Sequence, residues 1–436
     1  MADAASPGAR LRDAWRRTDE IFDLIDPGAL LERPISLRQP FIFYLGHLPA
    51  FAWNQVCRLV LGRAAFAPDL DGLFERGIDP PDVADYGAPE ARWPESAAVH
   101  EYRDRVRREL GAALPEVVEG GRADLVQRVL EHELMHQETL LYMLLQLPHD
   151  RKRRPAGLPP PPFGRGAPAR EVEVPGGRVT LGAPRDGRFG WDNEFPEQET
   201  SVAAFRIDVL PVRNAELLEF VNDGGYDDPR LWDEETWAWL RKRGQRWPGP
   251  WSLRGGEWLC RGLFEDLPLE RAGDWPACVT WAEARAFARW RGGRLPTEAE
   301  YQRAAYGDPG REPRAHPWGE APPSAAHGNF GLRRWSPAPV GTHPAGASAW
   351  GVQDVVGDGW EWTATPFAPF PGFEPMRGYE GYSADFFDDR HRVLLGASWA
   401  TPDALVRRSF RNWFQPHYPY VFAKFRCVRD AAAAAR

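Results

Sequence analysis

RADLVQRVLEHELMHQETLLYMLLQL, residues 122–147, decides how this chain is read. It contains no Gly and no Pro, and Leu125, Val129, His132, His136, Leu140, Met143 and Leu147 recur at four- and three-residue steps, the spacing of one stripe along an α-helix. Two imidazoles therefore stand where such a helix carries core residues. One turn apart, roughly 6 Å along the axis, they can close on a single divalent metal. Alternatively, each satisfies its nitrogens with polar neighbours inside the core.

Three more helical segments precede this one, at 9–25, 40–61 and 95–114, joined by Pro-, Gly- and Asp-rich turns. Residues 1–150 are thus expected to form a four-helix bundle. In the second segment Phe43, His47, Ala50, Asn54, Cys57 and Leu61 make another inward stripe, so His47 offers a third ligand. Gly46 beside it would let a backbone or a ligand come close. His100, among the charged neighbours VHEYRDRVRREL, competes for that role from the third helix, although its surroundings suit an exposed position. Three imidazoles on one metal leave coordination positions open for substrates. The stretch 132–136 also spells HExxH, the zinc-hydrolase arrangement with Glu133 as general base, but Thr139 and Tyr142 occupy the places where its extended form needs Gly and His.

The grammar changes after RKRRPAGLPPPPFGRGAPAR, residues 151–170, a Pro- and Gly-dense stretch that suits a stiff linker. From 171 to 436 the chain reads as short alternating strands, many turns and few helices, and all but Trp15, Trp53 and Trp93 of its 20 tryptophans lie there. A helix is expected at 281–290, and Thr297 with Glu300 forms a capping box for another. The fold class is therefore α+β, a helical bundle followed by a loop-rich, aromatic-cored domain. Cys57, Cys260, Cys278 and Cys427 are too scattered for a disulfide framework or a thiolate zinc site.

A chain of 436 residues with 54 basic and 62 acidic side chains, net charge −8, does not present a nucleic-acid surface. No apolar run reaches membrane-spanning length and no signal core opens the sequence, so a cytoplasmic protein acting on small molecules, with neither nucleic acid nor membrane as partner, is expected.

Several motifs together narrow the field: YLGHLPAF (44–51), HELMHQE (132–138), FGWDNEFP (189–196), GGRLPTEAEYQRAA (292–305), GVQDVVGDGWEWT (351–363), MRGYEGYSADFF (376–387), VLLGASWAT (393–401) and SFRNWFQPHYPYVFAKFR (409–426). Their order resembles the EgtB-type sulfoxide synthases, non-heme iron enzymes of ergothioneine biosynthesis whose relatives make ovothiol precursors and selenoneine. The resemblance covers nearly the whole chain. It implies a DinB-like bundle followed by a formylglycine-generating-enzyme-like domain with a C-type-lectin-like core.

It further implies Fe(2+) held by His47, His132 and His136, and a reaction in which O2 drives C–S bond formation between the imidazole C2 of hercynine (Nα-trimethylhistidine) and a thiol donor such as cysteine, giving a sulfoxide. A selenosugar donor, or histidine as acceptor, are the readings drawn from the related branches. Tyr379, the first tyrosine of YxxYS, would supply a proton during oxygen activation, while Tyr382, Asn412 and Trp413 would bind substrate, aromatic faces suiting the trimethylammonium group. The Gly-rich loop around Tyr379 is expected to close a site between the two domains. RLPTEAE and GDGWEW read as scaffold turns.

Two positions depart from the family pattern. Phe414 and Tyr418 stand where γ-glutamylcysteine-using members carry an Asp and an Arg, which favours cysteine or a selenosugar. Met135 replaces a Gln that in some members touches the imidazole. A formylglycine-generating activity would need a cysteine pair, and five residues before Cys427, where its partner would stand, the chain has Phe422. A DinB-like zinc thiol transferase remains as a distant alternative.

Overall fold

Ser6 opens the first helix, its hydroxyl accepting from the amide of Ala9 at 3.3 Å with Pro7 in the first helical position, in a computed structural model that describes residues 6–75, 93–308 and 313–431. This helix, α1 (Pro7–Phe22), is followed by α2 (Phe41–Ala52), a short α3 (Pro68–Leu73), α4 (Ser96–Glu119) and α5 (Ala123–Gln146). α1 packs on α5, and α2 packs on both α4 and α5. Together they belong to a unit spanning Met1–Leu158, and a second unit spans Pro159–Arg436.

Three helix ends differ from the sequence reading, the first because α1 stops at Phe22 rather than residue 25. The second helix was expected to run to residue 61, but it gives way to a π-helix at Trp53–Arg58. Pro49 has no N–H to offer the carbonyl one turn back, and beyond it the bonds reach five residues back: Leu59 N–H to Asn54 O at 3.0 Å, Leu61 N–H to Val56 O at 3.1 Å. α4 was expected to stop at 114 and instead continues through Pro115 to Glu119. That proline is exposed and forfeits one bond, to Gly111, and the helix ends at Gly120 and Gly121, the latter at φ +73°.

The stripe predicted on α5 is buried, with His136 half-buried. A second, polar stripe is buried too. Glu133 and Gln137 face α1, where Thr18 Oγ1 donates to Glu133 at 2.6 Å and Gln137 Nε2 donates to the carbonyl of Ala14 at 3.0 Å.

The second unit begins with β1 (Glu171–Val174), β2 (Gly177–Leu181), β3 (Gln198–Val202) and β4 (Phe205–Asp208). It continues through α6 (Asn214–Asn222), α7 (Glu234–Arg243), the strands β5 (Trp251–Arg254), β6 (Glu257–Arg261) and β7 (Asp266–Pro268), then α8 (Trp281–Trp290) and α9 (Glu298–Tyr306). The last strands are β8 (Gly359–Pro366), β9 (Arg392–Ala397), β10 (Asn412–Phe414), β11 (Ala423–Lys424) and β12 (Val428–Asp430). A four-stranded sheet in the order β10-β9-β8-β11 forms the centre, with β11 parallel to β8. A three-stranded sheet, β1-β4-β12, joins the beginning of the unit to its end. Phe205, Ile207, Tyr301, Phe330, Val393 and Leu395 share one core cluster.

Thr297 and Glu300 form the expected capping box on α9, and Thr280 with Glu283 does the same for α8. The motifs read as scaffold are tied into the core by charge. Glu298 of RLPTEAE pairs with buried Arg411 at 2.9 Å, and Glu361 of GDGWEW accepts from Arg426 Nε at 2.7 Å while Lys424 Nζ donates to the carbonyls of Gly357 and Gly359. All four cysteines are free. Among the described residues no helix is long and apolar enough to cross a membrane.

Candidate metal centre

His47 projects from the middle of α2, and His132 and His136 lie one turn apart on α5, against which α2 packs. One nitrogen from each ring lies within 4.8 Å of the other two. His47 Nε2 and His132 Nε2 are 3.3 Å apart, a separation at which two nitrogens can share one metal but gain little from each other. His100, the competing candidate, sits half-buried in the first turn of α4 and is not in this group.

The second atom of each ring shows how the first is presented. His47 Nδ1 donates to the carbonyl of Phe74 at 2.8 Å, which fixes the tautomer and leaves Nε2 with its lone pair free. Phe74 ends α3, and its ring occupies the space beside Gly46: a Cβ there would stand 2.5 Å from the ring carbons. The close approach that Gly46 was expected to permit is therefore that of Phe74. Phe51 stacks on His132 with centroids 3.6 Å apart, and Phe43 stacks on His47 at 5.1 Å.

Burial pushes His47 down to about 4, partly offset by the Phe74 hydrogen bond. Burial, then repulsion from the neighbouring rings, carries His132 and His136 well below the ordinary histidine value. All three are neutral at pH 7, the state a ligand requires. His136 Nδ1 is buried without a hydrogen-bond partner, a costly condition for an imidazole nitrogen. A neutral, inward-facing three-imidazole set with an orphaned nitrogen fits a divalent first-row metal, and imidazole ligands suit iron, zinc or copper. Glu133 does not belong to the group: its carboxylate is turned to Thr18, on the α1 side of the helix. Burial raises its pKa.

The remaining expected site residues fall together in the second unit. Tyr382 stacks on Trp191 at 4.1 Å and meets Trp413 edge-on at 5.3 Å, while Tyr379 lies 5.5 Å from Tyr382 and 6.5 Å from Trp191. Trp413 stacks on Phe367 at 4.3 Å, and the neighbouring Asn412 Oδ1 accepts from the Trp413 amide at 2.9 Å. Sequence reasoning assigned no role to Trp191 or Asp192, although both lie in the quoted FGWDNEFP. The signal was an acidic residue set among aromatic ones in a motif with no helical or strand period. Phe414 and Tyr418, the two departures, stack on each other at 4.9 Å. Met135 is half-buried on α5. Cys427 is buried, and Phe422 packs on Trp399, so the described residues hold no cysteine pair there.

Comparison with known proteins divides the chain in a similar way. Residues 10–140 match the DinB superfamily, and residues 160–431 match the sulfatase-modifying factor enzyme 1-like domain. The hercynine oxygenase of Mycolicibacterium thermoresistibile is 40% identical over 437 residues, covering 97% of this chain and 94% of that protein. The hercynine oxygenase of Mycolicibacterium smegmatis is 42% identical over 324 residues, 73% of each chain. Ergothioneine biosynthesis protein 1 of Neurospora crassa is 33% identical over 496 residues, covering 92% of this chain and 55% of that longer protein.

Proposed function

Because the chain belongs to the EgtB-type family, in which a DinB-like bundle precedes a formylglycine-generating-enzyme-like domain, we propose that it is an oxygen-dependent synthase acting on hercynine in ergothioneine biosynthesis. Its reaction joins the imidazole C2 carbon to the sulfur of a thiol donor such as cysteine. Carbon and sulfur each lose one hydrogen, one oxygen atom of O2 ends on sulfur and the other leaves as water. The observation that carries this reading is the buried three-imidazole cluster, in a chain matched over nearly its whole length by a relative named hercynine oxygenase.

His47, His132 and His136 would hold Fe(2+), which supplies the O2 activation that side chains cannot. The rest is the work of the chain. Three ligands leave room for reactants to meet, so proximity provides much of the rate. Trp413 and Tyr382 offer aromatic faces to the trimethylammonium group, and Asn412 offers a carbonyl oxygen. Tyr379 holds a proton on its phenolic oxygen, available where the alternative outcome is oxidation of the thiol alone.

The stacked pair Phe414 and Tyr418 has no countercharge for a γ-glutamyl carboxylate, which favours cysteine as donor. The same two rings support a second reading, a selenosugar donor, because sugar faces pack well on aromatic ones. The HExxH hydrolase reading has no support from Glu133, which is engaged by Thr18.

The test is anaerobically iron-loaded protein given hercynine or histidine with cysteine, γ-glutamylcysteine, glutathione or selenoglucose, followed by mass spectrometry after air is admitted. Hercynine with cysteine is expected to give the coupled sulfoxide with O2 uptake, and zinc-loaded protein none. Coupling to histidine alone would move the chain to the ovothiol branch. Activity unaffected by exhaustive chelation would overturn the metal assignment.

A further inference from the structure

The turn that carries Tyr379 is partly exposed, and it is clamped at both ends by one buried carboxylate. Arg377, Gly378 and Glu380 lie at the surface, with Gly378 at φ +77°, and the turn is closed locally by Tyr379 N–H to Met376 O at 2.9 Å and Tyr382 N–H to Tyr379 O at 3.0 Å. Asp192, 4% exposed, accepts at Oδ2 from the Met376 amide at 3.2 Å, where the turn begins, and at Oδ1 from the fully buried Ser383 hydroxyl, where it ends. The residue before it, Trp191, supplies the face on which Tyr382 stacks.

The clamp is itself anchored. Glu194, two residues on, accepts from the Trp191 amide at 2.8 Å, from Arg407 Nε at 2.8 Å and from Ser409 Oγ at 2.6 Å. Ser409 and Arg407 lead into β10, which bears Asn412 and Trp413. Three separate motifs, FGWDNEFP, YEGYS and SFRNW, are thus joined by two carboxylates.

We infer that Asp192 is a positioning residue for the reaction: it fixes the turn that presents Tyr379 and so governs how O2 is divided between coupling and oxidation of the donor. This rests on the reading of Tyr379 given above. Asp192 need not touch substrate, and its effect passes through the bonds to Met376 and Ser383. The ratio of products is expected to shift about tenfold, which corresponds to about 1.4 kcal/mol between the two outcomes.

The test uses the full iron-loaded chain with hercynine and cysteine in air, comparing wild type with Asp192→Ala, Asp192→Asn, Ser383→Ala, Tyr379→Phe and the double variant Asp192→Ala/Tyr379→Phe. Asp192→Ala is expected to move the ratio of sulfoxide to oxidised cysteine in the same direction as Tyr379→Phe, with the double variant moving no further. The two milder variants are expected to fall between. Hydrogen exchange at amides 376–383 should speed up in Asp192→Ala and Ser383→Ala while the sheets stay protected. Unchanged exchange in that turn overturns the clamp. If Tyr379→Phe shifts the ratio and Asp192→Ala does not, the positioning role is overturned and the reading of the reaction stands. If the wild type couples no donor, or Tyr379→Phe leaves the ratio unchanged, the reading itself falls and the positioning role with it.

Discussion

Gly46 shows how a residue without a side chain can decide the behaviour of its neighbour. A methyl group there would press on the Phe74 ring at 2.5 Å and displace the carbonyl that holds His47 Nδ1. Gly46→Ala is therefore expected to weaken metal binding about 10–100-fold, as loss of a ligand's supporting hydrogen bond does, measured by anaerobic titration with Fe(2+) or Zn(2+). Glu133→Gln is expected to leave metal content and turnover in place, since the amide can still accept from Thr18; loss of all activity in that variant would restore the hydrolase reading. The histidine set was legible because helical periodicity places His132, His136 and His47 on inward stripes. What Glu133 and Asp192 do was not legible. Their partners Thr18 and Ser383 lie 115 and 191 residues away, and no local pattern encodes such a pairing.

Among the elements, long helices were readable where an apolar period ran unbroken, as in α5, and less so where proline intervened. Pro115 looked like a stop signal but sits on the exposed side of α4, where one missing bond is cheap; α2 passes Pro49 as an α-helix to Ala52 and only then widens into the π-helix. The short strands of the second unit carried too little period to be placed one by one, because their positions follow from distant pairings such as Asn412 with Leu394. β10 in particular is set by Arg411, 3% exposed, which pairs with Glu298 and donates to the carbonyls of Asn193 and Ala368. Glu298→Ala leaves that guanidinium buried without its countercharge. The expected loss is about 3 kcal/mol of stability in urea unfolding, accompanied by weaker hercynine binding as Asn412 and Trp413 lose their support. An unchanged midpoint would show that the two carbonyls suffice.

For the whole molecule, the fold class was legible from the change of composition near residue 171, while the buried charges at the centre of the second unit were not. Burial, reinforced by Asp354, pushes the Asp358 carboxyl up to about 7, against hydrogen bonds from Asn329 and Ala338. Between its unfolded value near 4 and about 7, the folded chain keeps a proton that the unfolded chain has released, so the contribution to stability is complete at low pH and lost as pH rises through 7. Asp358→Asn should remove this slope, on the order of a few kcal/mol, in urea unfolding measured from pH 5 to 8. The sheet β1-β4-β12 carries a different consequence. Its outer strands come from the first and last stretches of the second unit, so synthesis must deliver Val428–Asp430 before the sheet can be completed. Assembly of this half therefore awaits β12, about 250 residues after β1, and these opening and closing segments are near enough in space to be spliced together while new ends are cut in a surface loop elsewhere.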